Sequence, residues 1–342
     1  MSAHVDTFAR DNLPPRDQWP ELLFELPELQ YPDQLNCGSE LLDRAIDRGW
    51  GERTAIVAPG GLRWTYAQLR TRANRIAHVL VDEMGLVPGN RVLLRGPNSP
   101  MMAACWLAVM KAGGVAVATM PLLRAKELTE IVTKAQVSHA LCDARLRSEL
   151  DAARAACPVL AAVAFFESAA EDAVEARASR KPQHFNDVAT ASDDTALIAF
   201  TSGTTGRPKG TMHFHRDVIA ICDCWPRSTL RSTPDDIFTG SPPLAFTFGL
   251  GGLLLFPLRV GAATLLLEKT SPDALLSAIA EHRATVLFTA PTSYRGMAAQ
   301  VGSFDLSSLR KCVSAGEALP AATRALWKQA TGIELIDGIG AT

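Results

Sequence analysis

The chain has 342 residues, 47% of them hydrophobic, and its 34 basic and 36 acidic side chains leave a formal net charge of −2. That balance excludes a broad electrostatic partner, so neither nucleic acid nor an anionic membrane surface is expected as a ligand. The length allows a large core and suggests two domain-sized units. Seven cysteines are scattered without metal or redox spacing, which fits reduced thiols and a cytoplasmic location. The nearest approach to a metal pattern, Cys222-x-Cys224 downstream of His213-x-His215, lacks zinc spacing, and no metal site is expected there. The N-terminus, with Asp6, Arg10 and Asp11, has no apolar run and does not read as a signal peptide. Gly249 to Pro257 is apolar but too short to span a bilayer.

Residues 1–36 are punctuated by Pro14, Pro15, Pro20, Pro27 and Pro32 and read as an extended arm. Leu41, Leu42, Ala45 and Ile46 recur at helical spacing, and Thr54 to Val57 reads as a strand. Thr65 suits the cap of a helix whose apolar stripe is Leu69, Ala73, Ile76, Ala77 and Leu80. Strand and helix then alternate: strand 91–94, helix 101–111, strand 115–120, helix 126–135 and strand 139–142. Such alternation predicts parallel strands covered by helices. Residues 165–192, richer in Glu, Ala, Arg and Asp, read as a linker.

A second alternation follows, with strands at 195–200, 237–239, 263–267, 286–289, 311–314 and 333–336. Helices are expected from about Asp217 and over 250–257, 272–282 and 321–331. The fold class is therefore α/β, divided into an arm (1–36), a first α/β unit (37–190) and a second (191–342).

Between the strand at 195–200 and a following strand lies Thr201-Ser202-Gly203-Thr204-Thr205-Gly206-Arg207-Pro208-Lys209-Gly210. Its glycines free backbone N–H groups to turn toward an anion, and its hydroxyls donate to the same place, so the loop reads as a phosphate grip. It is not the G-x-x-x-x-G-K-[ST] loop: the spacing from Gly203 fails and no Ser or Thr follows Lys209. Arg207 is expected to face solvent, and His213 and His215 to share one face of the next strand in a hydrogen-bonding role.

The loop with its preceding Ile198-Ala199-Phe200 resembles the signature loop of the adenylate-forming superfamily, which holds acyl-CoA synthetases, luciferases and peptide-synthetase adenylation domains. Four more stretches agree in order: Leu107 to Gly114, Pro243 to Gly249, Ser314 to Pro320 and Asp337 to Thr342. Within the superfamily the wording is most similar to benzoate and 2-aminobenzoate (anthranilate) CoA ligases. The resemblance implies two stacked α/β subdomains of the large N-terminal domain of these enzymes.

It also implies a chemistry: a carboxylate attacks the α-phosphorus of ATP, releasing pyrophosphate, and the thiol of coenzyme A then displaces AMP from the acyl-adenylate. Mg²⁺ would assist on the phosphates. Thr201, Ser202, Gly203, Thr204, Thr205 and Gly206 would hold the β- and γ-phosphates, with Lys209 adding a point charge. Gly316, Glu317 and Ala318 would flank adenine on one side and Asp337, Gly338 and Ile339 on the other, while Thr342 would touch the α-phosphate. Phe246 would gate the acyl pocket, lined by Thr247, Phe248 and Tyr294, whose rings suit an aromatic acid.

The family places an acidic Mg²⁺ ligand one residue beyond Thr342, followed by a ribose-binding aspartate, a hinge and a small C-terminal domain bearing a lysine. None lies within these residues, so the chain is expected to be a fragment with little adenylating activity alone. Its last strand would then leave a sheet edge open to association, and a homodimer is one assembly this allows. Two alternatives stand beside the aryl-acid reading. One is adenylation of a medium-chain fatty acid or an amino acid, the latter disfavoured because no acidic residue neighbours Thr247. The other is a non-catalytic nucleotide-binding fragment.

Overall fold

The computed structural model describes residues 1–201, 208–340 and 342. The arm carries one short helix, α1 (Phe8–Asp11), and is otherwise mostly irregular. Asn36 then caps α2 (Cys37–Asp47), its side-chain oxygen accepting from the N–H groups of Gly38 and Ser39. A hairpin follows, β1 (Thr54–Ala58) and β2 (Leu62–Thr65). Thr65 opens α3 (Tyr66–His78) through a reciprocal cap with Gln68, as its position before an apolar stripe predicts.

Next come β3 (Arg91–Arg95), α4 (Pro100–Lys111), β4 (Val115–Thr119), α5 (Ala125–Ala135) and β5 (His139–Asp143). Then α6 (Arg147–Ala156), β6 (Ala162–Phe166) and α7 (Val174–Ser179) occupy ground where little regular structure is expected. Val174 and Ala178 are buried in the central core, so the stretch read as a linker is an integral part of the fold.

Beyond it run β7 (Thr195–Thr201), β8 (Lys209–Phe214), α8 (His215–Asp223) and β9 (Ile237–Gly240). The helix expected at 250–257 is longer, from α9 (Thr247–Leu250) through one wide π turn (Gly251–Leu255) into α10 (Phe256–Val260). Pro257 explains the wide turn, because it lacks an N–H and its ring crowds the carbonyl one turn back. The remainder is β10 (Ala263–Leu265), α11 (Pro272–His282), β11 (Val286–Thr289), α12 (Pro291–Ala298), β12 (Lys311–Ser314), α13 (Ala321–Thr331) and β13 (Leu335–Asp337).

The strands form two sheets, of order β13-β12-β11-β9-β10-β1-β2 and β6-β5-β3-β4-β7-β8. All pairings are parallel except the hairpins β1/β2 and β7/β8. Sheet membership does not follow the boundary at residue 190. The hairpin β1/β2 from the first half completes the seven-stranded sheet, and β7/β8 from the second half completes the six-stranded one.

Side chains alternate across each strand and feed different cores. Phe238, Val286, Phe288 and Val313 face a central layer shared with α2, α3, α4 and α8 to α10. Leu265, Leu287, Cys312 and Leu335 face α11, α12 and α13 on the other side. The six-stranded sheet likewise has α5 and α6 on its outer face, packed on Leu93, Val117, Ala140 and Ile198. The result is five layers, helix-sheet-helix-sheet-helix, with the central helices gripped by both sheets.

Candidate active site

In the seven-stranded sheet the chain leaves β9 for β10 on one side and returns to β11 on the other. The first connection runs through the central layer by way of α9 and α10, the second over the outer face by way of α11. The carboxyl ends of β9 and β11 therefore flank a topological switch point, where open α/β sheets form a binding crevice. Ser241, just past β9, donates its N–H to the Phe288 carbonyl, and its hydroxyl lies 2.5 Å from the Thr289 hydroxyl at the end of β11. Ser314, at the end of β12, has a fully buried hydroxyl with no partner among the described residues. A buried polar group without a protein partner at a strand end leaves one hydrogen bond for water or a ligand to supply.

The residues after β12 and β13 meet at the same end. Gly338 donates its N–H to the Ser314 carbonyl at 2.8 Å, and Glu317 accepts the N–H of Thr292 at 3.2 Å. Gly316 takes a left-handed backbone with open space where a Cβ would stand, so the chain turns sharply without closing the crevice. Gly316, Glu317, Ala318, Asp337 and Ile339 are exposed and Gly338 is half-buried. The two stretches expected to flank adenine are thus neighbours joined through Ser314.

The other sheet reaches this crevice by its hairpin. Thr201 and Lys209 pair across β7 and β8, and two residues on, Thr211 donates its hydroxyl to the Thr342 carbonyl at 3.2 Å. That bond links residues 131 apart in sequence and brings the flank of the glycine loop beside the chain after β13. Lys209 is exposed. Ser202, Gly203, Thr204, Thr205, Gly206 and Arg207 lie outside the described residues.

The aromatic segment closes a third side. Phe246 stands at the start of α9, 44% exposed, its N–H donated to the Pro243 carbonyl and its carbonyl accepting from Leu250. Thr247 is half-buried beside it. Phe248 is half-buried and tilted on the Phe288 ring, with centroids 5.7 Å apart. Gly249 is required here, because a Cβ would meet the Pro243 carbonyl oxygen at 2.0 Å.

Two expectations need correction. Tyr294, expected to line the acyl pocket, lies instead on α12, fully buried, edge-on to Trp327, with its hydroxyl 2.9 Å from the Val313 carbonyl. The outer helices cover it completely, so it packs the wall behind the crevice. His213 and His215 do not share a strand face, because β8 ends at Phe214 and His215 begins α8. His215 is fully buried, and its Nδ1 accepts the N–H of Cys37 at 3.1 Å. Burial, with His4 adding to it, pushes its pKa down to about 3, so it is neutral at physiological pH. Burial also lowers the pKa of His213, whose Nε2 has no partner among the described residues.

Sequence reasoning overlooked Thr211, Ser241, Thr289 and Asn98. Asn98, 6% exposed, donates to the Pro242 carbonyl at 3.0 Å and accepts the N–H of Leu244 at 2.8 Å. Only Thr211 carried a signal, its adjacency to the glycine loop; the others are single polar residues whose partners come from distant strands. A cleft of about 1080 Å³ also opens near the ends of β1 and β10, between Trp64, Arg72, Arg75 and Met101. It is not the switch-point crevice. Among the described residues, no three or more His, Cys, Asp or Glu side chains stand together as a metal site, and no helix is long and apolar enough to cross a membrane.

The fold and crevice define the class as an open α/β architecture with a strand hairpin of the second sheet reaching the strand ends of the first. The chain belongs to the AMP-binding enzyme family, whose model matches residues 42–342. It is 30% identical to a benzoate–CoA ligase of Thauera aromatica over 92% of this chain and 60% of that protein. It is 32% identical to an anthranilate–CoA ligase of Pseudomonas aeruginosa over 84% of this chain and 55% of that one. Among solved structures it is similar to the anthranilate CoA ligase AuaEII in complex with anthranoyl-AMP, with a TM-score of 0.88 and 29% identity over 92% of this chain and 62% of that one. The chain therefore spans about three fifths of the length of the relatives it matches. The resemblance to adenylate-forming enzymes, and the two-sheet α/β architecture it implies, hold.

Proposed function

We propose that this chain provides the nucleotide- and acid-binding part of an AMP-forming ligase that activates an aromatic carboxylic acid and passes it to coenzyme A. The observation that carries the reading is the Thr211–Thr342 hydrogen bond, which joins the flank of the phosphate loop to the end of the adenine-side segment. Similarity to relatives named for benzoate, hydroxybenzoates and anthranilate supports the choice of acid.

In this reading Lys209 sets a positive charge beside the triphosphate, and Thr201 begins the backbone that cradles it, continued by Ser202 to Gly206. Gly316 to Ala318 and Asp337 to Ile339 bracket adenine, and Thr342 faces the α-phosphate. Phe246 stands between nucleotide and acid, with Thr247 and Phe248 beside the ring; Tyr294 supports that wall from behind. The carboxylate oxygen attacks the α-phosphorus and pyrophosphate leaves; the thiol of coenzyme A then attacks the acyl carbon and AMP leaves. Donors aimed at the phosphate oxygens lower the first barrier because negative charge concentrates there. Mg²⁺, when bound, would supply positive charge that offsets the negative charge gathering on those oxygens.

Equilibrium titration tests this. ATP should bind the chain, and Lys209→Ala should weaken it roughly 10- to 100-fold, the worth of one charge-assisted hydrogen bond. Benzoate or anthranilate should bind more tightly than octanoate. Unchanged ATP affinity in Lys209→Ala, or preference for octanoate, would contradict the proposal.

A further inference from the structure

We propose that Asn98 is a positioning residue that sets the acyl-side segment Pro242–Phe248, and through it the affinity for the acid but not for ATP. The inference rests on the aryl-acid reading for its ligand and on geometry for its mechanism.

Asn98 follows β3 of the six-stranded sheet, whereas Pro242 and Leu244 follow β9 of the seven-stranded one. Both arms of its carboxamide are used, and the partners dictate their orientation. A proline carbonyl can only accept and the Leu244 N–H can only donate, so the amide nitrogen must face Pro242 and the oxygen Leu244. Both bonds are buried. The side chain thus makes a two-pronged splint between loops of different sheets.

Its mounting is rigid. The next residue, Ser99, caps α4 by accepting the N–H of Met102 at 3.1 Å, and ten of the twelve residues of α4 are buried. On the far side, Ser241 is fixed to Phe288, and Gly249 lies against the Pro243 carbonyl. Between those points, Asn98 supplies the side-chain bonds that hold the backbone of Pro242 and Leu244, immediately before Phe246 enters α9. Removing it leaves a buried carbonyl and a buried N–H without their partner, and the segment regains partners by shifting toward water, which the cleft that Asn98 lines supplies. Such a movement carries Phe246 and Thr247 with it. The ends of β12 and β13 are held by separate bonds and need not follow.

The test compares Asn98→Ala with Asn74→Ala in the intact chain. Asn74 is another buried asparagine, which donates to the Gln183 carbonyl and has no hydrogen bond to this segment. Hydrogen exchange at the Leu244 amide and equilibrium binding of benzoate, anthranilate and ATP are read for both. In Asn98→Ala, Leu244 exchange should quicken and benzoate or anthranilate affinity should fall, each about tenfold or more, the scale of one or two lost hydrogen bonds, with ATP affinity unchanged within about twofold. Asn74→Ala should change neither Leu244 exchange nor acid affinity. Unchanged Leu244 exchange, unchanged acid affinity, or parallel loss of acid and ATP binding in Asn98→Ala would overturn the proposal. If the unmodified chain binds ATP but neither aromatic acid, the aryl-acid reading fails and the acid half of the inference with it, while Leu244 exchange still decides the splint.

Discussion

His215 is neutral in the native protein because its ring is fully buried and its Nδ1 is occupied by the Cys37 N–H. Its ordinary pKa of 6.5 falls to about 3, so between these values the unfolded chain takes up a proton that the native chain refuses. The contribution to stability is present above about pH 6.5 and is lost as pH falls toward 3. Going from pH 7 to pH 5 should cost about 2 kcal/mol from this group. Asp194 opposes the shift slightly, and burial moves His4, His139 and His213 in the same direction as His215. Urea midpoints at the two pH values should show the loss in the unmodified chain. His215→Asn, whose oxygen can stand in for Nδ1, should show about 2 kcal/mol less of it; an identical pH dependence would refute the assignment. That a histidine here hydrogen-bonds structurally was readable from the sequence, but that it heads a helix was not, since the change from strand to helix falls between Phe214 and His215.

Among the elements, legibility followed periodicity and punctuation. The helix Pro272–His282 and the strands Val286–Thr289 and Lys311–Ser314 have the predicted bounds, because each couples an apolar pattern to a clear start or stop. Helix α12 is absent from the helices the sequence predicts, because Pro291 and Gly296 within eight residues interrupt the helical signal, although Tyr294, Met297 and Ala298 share one buried face. That error moved Tyr294 from the wall's interior to its surface. The connection from β9 into α9 depends on Gly249, whose neighbour is a backbone oxygen that cannot swing aside. Gly249→Ala should therefore cost on the order of 1–3 kcal/mol of stability, by strain rather than lost burial. A denaturation midpoint within error of the unmodified chain would show that the turn relaxes freely.

At the scale of the whole molecule, alternation along the chain revealed two α/β halves but concealed their exchange of hairpins. A hairpin's own sequence specifies its two strands and says little about which sheet edge receives it. The exchange has a structural consequence, since β7/β8 belongs to one sheet while Thr211 within it bonds to the chain beyond the last strand of the other. Motif residues from Lys209, Gly316, Asp337 and Phe246 could be gathered from the sequence by resemblance; Ser241, Thr289 and Asn98 could not, because their meaning lies in partners across the fold. The switch-point crevice, and not the cleft between Trp64 and Arg75, is the proposed seat of the chemistry. The most direct measurement is a crystal structure of the chain with a non-hydrolysable aryl-adenylate. Adenine is expected between Gly316–Ala318 and Asp337–Ile339, with the aryl ring beside Phe246 and Phe248. An aryl-adenylate seated in the Trp64–Arg75 cleft, or with its aryl ring remote from Phe246, would contradict it.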